Sequence, residues 1–386
     1  METLTSTTGE QTQLTAGASA ATRTPWAVPV NRYLLAIIRR DWRAQLFATC
    51  GCATAALIAC FQFCVFSSFI AVAYVVPQRL DADVWVMASG VSAFDFPHPI
   101  AEDYGAGLAR FFPGATLRRI QVGFTTFGTA TGRKSSMVAV GYDGFGAGRR
   151  SFVADRTDLD NLEASAGIPE LGSVDFRRLI PDTGLAGFLG APYLLMSLKD
   201  ANAVLRQRVD RVSFLVFDLP GDSAVPADVL AAARGAYPEL TIRTNAQFYR
   251  STALYWLIST GAGAAVLLAA ILASALMLLF LVSGITRFAQ RYREDFLTML
   301  GLGMRAGDLR AIVARAAVTI VVIAILAALC GLPLMAAIAY PMLPWVSPSL
   351  IDVAFALTLG GLSIAIALRF ASREMARFDL AAVFRS

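Results

Sequence analysis

Polar positions almost vanish from four long stretches of this 386-residue chain, and return in short alternating patterns between the first two of them. The apolar runs are residues 46–76, 251–285, 316–340 and 353–368. A helix rises about 1.5 Å per residue, so each run can cross about 30 Å of hydrocarbon, the last with help from interfacial flanks. The first two are longer than a bilayer needs, and their surplus is expected to project beyond it as a stalk. Residues 77–250 instead alternate short elements. Strands are predicted at DADVWVMAS (81–89), TLRRIQVGFTTF (116–127), SSMVAVGYD (135–143) and VSFLVFDLP (212–220). Helices are predicted at AEDYGAGLARFF (101–112) and at PADVLAAARGAY (226–237), where Pro226 suits a first turn. TIRTNAQFY (241–249) then leads into the second run. The fold class is an α-helical membrane protein with four transmembrane helices and an inserted α+β extracytoplasmic domain between the first and second.

Composition points the same way: 56% of residues are hydrophobic, 16% are charged and the mean hydropathy is +0.58, which excludes an ordinary soluble protein. Residues 1–29 are rich in Thr, Ser, Ala and Gly and hold no short apolar core of a cleavable signal, so they are expected to be a disordered cytoplasmic tail and the first run a signal-anchor. VNRYLLAIIRRDWRAQ (30–45) is basic and amphipathic; it reads either as an interfacial helix anchored by Trp42 and its arginines or as the cytosolic start of the first span.

Arginines set the orientation. They outnumber acids before residue 46, in 287–315 and in 371–386, whereas the loop 341–352 has no Lys or Arg and 77–250 is nearly neutral. By the positive-inside rule both termini are cytoplasmic and 77–250 is exported. The spans are then 46–76 and 251–286, each with its stalk, 316–340, and 353–370.

The search for chemistry along the chain is short. GTATGRKSS (128–136) has glycines, a lysine and a serine, but three residues separate Gly128 from Gly132 and Arg133 intervenes before Lys134. A phosphate-cradling loop needs four residues and an adjacent Gly-Lys pair, so this stretch reads as a hairpin turn outside the membrane. His98, the single histidine, cannot support a Ser-His-Asp relay alone. Asp155, Asp158, Asp160 and Glu163 depart from calcium-loop spacing and read as a solvated helix start. Cys50, Cys52, Cys60, Cys64 and Cys330 all fall in apolar runs; Cys60 and Cys64 share a helix face without a second pair or a histidine, which favours packing over metal. No catalytic residue and no metal site is expected. The four runs contain no Asp, Glu, Lys, Arg or His, which argues against an ion-coupled carrier. Gly261, Gly263 and Ala264 offer a small-residue face on which two copies would pack as a homodimer.

The most informative stretch is RYREDFLTMLGLGMRAGDLRAIVAR (291–315), in which Asp295 precedes Gly303 by eight positions. With four helices, a large exported insertion and inside termini, it resembles the cytoplasmic motif of the FtsX-like permeases of MacB-type ABC systems, which usually carry Glu where Asp295 stands. The closing MARFDLAAVF (375–384) is similar to the family's Asp-Pro signature, with Leu380 in place of Pro. ADVWVMAS, Tyr255-Trp256 and Phe384 look most like the DevC-type permeases.

The resemblance implies that the chain is no enzyme and binds no cofactor; ATP and Mg are bound by a separate ABC ATPase, present in two copies beside a homodimer of this permease in the cell inner membrane. It also implies a periplasmic adaptor and an outer-membrane channel as partners, and membrane lipids but no nucleic acid. From the residues alone, 294–308 is either a helix whose apolar side chains fill a groove on a partner or a helix resting on the inner leaflet. The resemblance favours ATPase coupling, by Arg293, Glu294, Asp295, Phe296, Leu297, Met299, Leu300, Gly303 and Arg305. The expected work is extrusion or extraction of a lipid, glycolipid or hydrophobic drug, since the spans lack charge. Haem efflux is the related alternative, and a non-transporting transmitter that activates a periplasmic partner the rival from another class.

Overall fold

The structure, a computed structural model, describes Arg40 and residues 42–128, 134–145, 191, 193–221 and 225–376. The tail 1–29, most of 30–45, the turn residues 129–133, the acids at 155, 158, 160 and 163, and the closing signature with Leu380 and Phe384 lie outside the described residues. Among the described residues, four helices are long and apolar enough to cross a membrane, and a mixed α/β region lies between the first two in sequence. They are α1 (Trp42–Val72), α7 (Ala262–Arg291), α9 (Ala306–Ala339) and α10 (Leu350–Ala376).

Before α7 come α2 (Val75–Leu80), β1 (Val84–Ala88), β2 (Ile100–Ala101), α3 (Tyr104–Ala109), β3 (Thr116–Gly128), β4 (Lys134–Tyr142), β5 (Tyr193–Ser197), α4 (Leu198–Leu205), β6 (Arg211–Val212), β7 (Phe214–Asp218), α5 (Ala227–Ala236), β8 (Leu240–Thr244) and α6 (Asn245–Leu254). The main sheet has the order β5-β4-β3-β7-β1-β8, antiparallel except for β4 and β5. Within it, β1, α3, β3, β7, α5 and β8 follow one another as β-α-β-β-α-β with spatial order β8-β1-β7-β3, a split β-α-β arrangement that β4 and β5 extend beyond β3. Gly128 pairs with Lys134, so the glycine-rich stretch read as a turn does connect two antiparallel strands.

Contacts divide the chain into two units: residues 58–272 with 329–355, and the remainder. In the first, the sheet is buried on both faces, which is why VWVMA is apolar at every position rather than at alternate ones. Val84, Val86, Leu215 and Phe217 face Leu108, Leu230 and Ala233 of α3 and α5. Trp85, Met87, Phe214 and Val216 face the other way and pack with Phe69, Tyr74, Val76, Phe248 and Trp256. Arg118 clamps Asp218 with two hydrogen bonds of 2.5 and 2.6 Å and donates to the Leu80 carbonyl, tying the end of α2 to β3 and β7.

Among the elements of this unit that had no sequence reading are β8, β5 and α4, the last capped by Ser197, whose hydroxyl accepts from the Asp200 N–H. The helix expected over 251–286 is divided. A capping box of Thr244 and Gln247 starts α6, a π turn follows at Tyr255–Ser259, and α7 begins only at Ala262. Gly261, at φ +70°, makes the break.

In the second unit the helices approach closely through small residues. A side chain at Gly51 would lie 3.1 Å from the Phe280 ring, one at Gly284 3.3 Å from the Ala48 methyl, and one at Gly360 3.0 Å from Ile325. The segment 287–315 is helical almost throughout: α7 ends at Arg291, α8 covers Arg293–Gly301, and α9 starts at Ala306, ten residues before the predicted third span.

Candidate functional site

Two places in the structure can do work, one in each unit. The first is a cavity of about 880 Å³ lined by Phe63, Phe66, Ile70 and Val75 of α1 and α2, by Tyr249, Leu254 and Leu257 of α6 and the π turn, and by Tyr340, Trp345 and Ile351 around the α9–α10 connection. That volume suits a drug-sized or lipid-sized guest. Its wall is apolar, its polar groups are hydroxyls of Ser, Tyr and the amide of Gln78, and it contains no Asp, Glu, Lys or Arg. The elements that frame it are positioned by local rules. The π turn rotates Trp256 inward, edge-on to Phe69 at 5.7 Å, and Trp345 lies 6.1 Å from the same ring.

The cavity's third wall is held by a clasp that sequence reasoning passed over. Ser67 Oγ donates to Asp352 Oδ1 at 2.7 Å, and the Ser349 N–H and hydroxyl donate to Oδ2 at 2.7 and 2.8 Å. Beside it, Ser68 Oγ donates to the Ser347 carbonyl and accepts from its N–H, both at 3.2 Å, and Phe63 stacks on Phe355 at 4.1 Å. Asp352 is wholly buried, with three donors on its carboxylate. The fourth apolar run was read as starting at 353, one residue beyond this acid; the Ser349-x-x-Asp352 capping pattern was the signal that would have moved the start. A carboxylate in the first turn of a helix also meets the positive end of the helix dipole.

The second place is α8 and its turn. α8 starts after Tyr292 and ends in a Schellman motif: the Met304 N–H donates to the Met299 carbonyl, the Gly303 N–H to that of Leu300, and Gly303 takes φ +92°. The glycine of the motif in 291–315 is therefore the C′ residue that lets α8 end and α9 begin. Arg293, Glu294, Asp295 and Arg305 are exposed on this element, and Leu297, Met299 and Leu300 are half-buried. Phe296 differs from its expected role: it is completely buried and packs with the rings of Phe288 and Tyr292, because helical bonding runs on across the junction, with the Tyr292 N–H donating to the Phe288 carbonyl and the Phe296 N–H to that of Tyr292, and so keeps the three rings on one face. It cannot fill a partner's groove. The large apolar side chain most exposed here is Leu302, in the turn that ends α8 and 78% exposed, which the sequence reading did not single out.

The remaining expected residues fall as follows. Gly261 and Gly263 have roles inside the chain: Gly261 through its left-handed backbone, Gly263 because a side chain there would lie 3.1 Å from the Trp256 carbonyl oxygen and 3.2 Å from Leu257 Cα. Ala264 is exposed. Cys52, Cys60 and Cys64 are buried, and Cys64 packs with Val65, Leu332 and Val346. His98 is exposed in the loop after β1. Among the described residues no group of His, Cys, Asp and Glu is placed to hold a metal.

One buried acid belongs to neither place. Asp95 Oδ1 accepts from the Tyr193 hydroxyl at 2.6 Å, while Oδ2 is buried without a partner. Burial pushes this carboxyl up to about 6, partly offset by the tyrosine hydrogen bond.

No family model matches this chain, and no curated protein matches it.

Proposed function

We propose that this chain is a permease subunit of an FtsX-like, MacB-type ABC exporter, multi-pass in a cell membrane with both termini cytoplasmic, that extrudes or extracts an amphiphile. The single observation that carries the reading is the apolar cavity of about 880 Å³ at the junction of the inserted α/β region with α1, the π turn and the α9–α10 loop. With the arginine-rich ends inside, this cavity lies at the outer side of the membrane, where a lipid, glycolipid or hydrophobic drug would enter sideways. Its uncharged wall fits a guest that hides its chains and hydrogen-bonds through a neutral polar group.

The engine is a separate ATPase that binds ATP and Mg, in two copies beside a homodimer of this chain, with an adaptor and outer-membrane channel where the cell has one. α8 is suited to receive its stroke. The Phe288–Tyr292–Phe296 ring cluster fixes α8 to the end of α7, so a push on α8 is passed to a long helix instead of being absorbed by a loose loop. Leu302, flanked by Arg293 and Arg305, supplies the contact.

The test is a gentle purification of the tagged full chain with mass spectrometry of associated proteins and lipids, for the native protein, for Leu302→Asp and for Leu254→Trp. An ATPase is expected with the native chain and with Leu254→Trp and lost with Leu302→Asp; a bound amphiphile is expected to be lost with Leu254→Trp alone. A hydrolase or sensor in place of any amphiphile would replace transport with signal transmission, and no ATPase in any sample would overturn the exporter reading.

A further inference from the structure

β8 ends the main sheet on one side: β1 pairs with one of its edges, and among the described residues no strand pairs with the other. The Ser89 N–H donates to the Glu239 carbonyl and the Asn245 N–H to that of Asp83, so odd-numbered residues here turn their backbone toward β1. Leu240, Ile242 and Thr244 turn theirs to the free edge. Some of these groups are already answered. The Leu240 N–H donates to the Tyr237 carbonyl, the Thr244 N–H to Gln247 Oε1, and the Ile242 carbonyl accepts from Arg234 Nε at 2.8 Å. A groove of about 480 Å³ follows this edge, walled by β8 from Leu240 to Arg243, by Arg234 and Pro238 at the end of α5, and by Gln247 of α6.

Charge in this groove has one sign. Arg234 and Arg243 line it, and no Asp or Glu does. Both guanidinium groups have partners, and all of these are neutral. Arg234 donates to the Ile242 carbonyl and, at 2.7 Å, to Gln247 Oε1; Arg243 donates to the Ser251 hydroxyl at 2.6 Å and to the Val91 carbonyl at 3.3 Å. Those bonds use part of the five N–H donors of each side chain and neutralise neither charge. Glu239, just before β8, accepts instead from the Tyr104 hydroxyl. Burial and then the nearby Arg234 lower the pKa of Arg243, so the two cations are close enough to repel.

We propose that the free edge of β8 is a docking site for an extended acidic segment of a protein partner, which adds to the sheet as a further strand and sets carboxylates against Arg234 and Arg243. Charge complementarity gives the chemistry of the occupant, and the sheet edge gives its shape. Two cations that share a groove without an acid favour an anionic guest, and outward backbone groups favour one that is itself extended. An incoming strand would take the Ile242 N–H and carbonyl, and Arg234, displaced from that carbonyl, would turn its fork to a carboxylate. Until then its bond shields the edge, as exposed strands require. The groove shares no residue with the cavity of about 880 Å³ and needs neither its guest nor an ATPase, so the site stands or falls apart from the exporter reading.

The test follows a fluorescent hexapeptide of alternating Glu and Thr by anisotropy as it binds the full-length protein in mild detergent. Saturable binding is expected, weaker at higher salt, and about ten-fold weaker when Gln replaces Glu in the peptide, as two exposed ion pairs are lost. Arg234→Gln and Arg243→Gln should each weaken the Glu peptide about three-fold and leave the Gln peptide unaffected. Arg250→Gln, at an exposed arginine outside the groove, should change neither. Arg243 also holds Val91 and Ser251, so Arg243→Lys, which keeps the charge, separates its ion pair from its structural bonds and should bind nearly as the native chain does. A Glu-Thr peptide methylated at every backbone nitrogen keeps its charges but cannot pair with an edge, and should not bind. No binding of the Glu peptide, equal binding of the Glu and Gln peptides, or an equal loss with Arg250→Gln would overturn the proposal. Undiminished binding of the methylated peptide would also overturn it, leaving an anion site without strand pairing.

Discussion

The hydroxyl of Ser67, on α1, donates a 2.7 Å hydrogen bond to the buried carboxylate of Asp352, in the first turn of α10. That bond joins residues 285 positions apart and closes one wall of the cavity of about 880 Å³. Asp352→Ala removes the acceptor for three donors, two of them side-chain hydroxyls and one the Ser349 N–H. A hydrogen bond lost between partly buried groups costs about 0.5–1.5 kcal/mol. The variant is expected to unfold at clearly lower temperature in detergent, and Ser67→Ala to lose less, because two donors to Asp352 remain. Equal melting of Asp352→Ala and the native protein would show that water replaces the clasp.

Phe296 on α8 and Leu302 in the turn that ends it should behave in opposite ways. Phe296→Ala empties a site that is entirely buried, and such truncations cost about 3–5 kcal/mol. Its thermal stability should drop and any ATPase capture drop with it. Leu302→Asp changes a side chain that is 78% exposed, so melting should stay within about 0.5 kcal/mol of native while capture is lost. Intact capture with Leu302→Asp would move the contact elsewhere on the chain.

Asp95 gives a pH signature. Its folded pKa is raised to about 6 from 3.8, so between those values the folded protein holds a proton that the unfolded chain has released. The folded state is then favoured by the low-pH side of the window: Asp95 adds stability as pH falls from about 6 toward 4 and withdraws it as pH rises, with the full cost of the buried charge present above 6. Asp95→Asn keeps an oxygen for Tyr193 and has no charge to bury. It should melt higher than native at pH 7 and lose the difference near pH 4. Parallel melting curves of the two proteins across pH 4–7 would show that Asp95 does not titrate in this window.

The long-range features of this fold were legible where a single physical rule applied. Apolar length alone placed four membrane-length helices, and period-two or helical patterning placed β1, β3, β4, β7, α3 and α5. The signals missed were those in which a short polar pattern overrides hydropathy. Ser349-x-x-Asp352 begins α10 ahead of the apolar run, and Ser197 and Asp200 cap a helix in a stretch with no strong periodicity. Burial of Phe296 was not legible at all. Its spacing from Phe288 and Tyr292 fits a continuous helical face, but whether that face turns inward or toward a partner depends on tertiary packing that spacing does not encode. The cavity needed three dimensions, because its walls come from segments nearly three hundred residues apart.

The break at Gly261 separates two readings of the small residues in the second apolar run. If they formed a dimer face, large side chains at Gly261, Gly263 and Ala264 would all weaken assembly. Within one chain the three are not alike. Gly261 has φ +70°, where a side chain costs on the order of 1–2 kcal/mol; Gly263 meets the Trp256 carbonyl oxygen; and Ala264 is exposed. Gly261→Ala and Gly263→Ala are therefore expected to lower thermal stability whatever the oligomeric state, whereas Ala264→Leu should leave it nearly unchanged. The variant that tests the dimer is Ala264→Leu. Loss of the dimer, measured by light scattering in detergent, with unaltered melting would place α7 at the interface. A dimer that survives Ala264→Leu would leave the two glycines as determinants of the π turn and of the wall that Leu254 and Leu257 give the cavity of about 880 Å³.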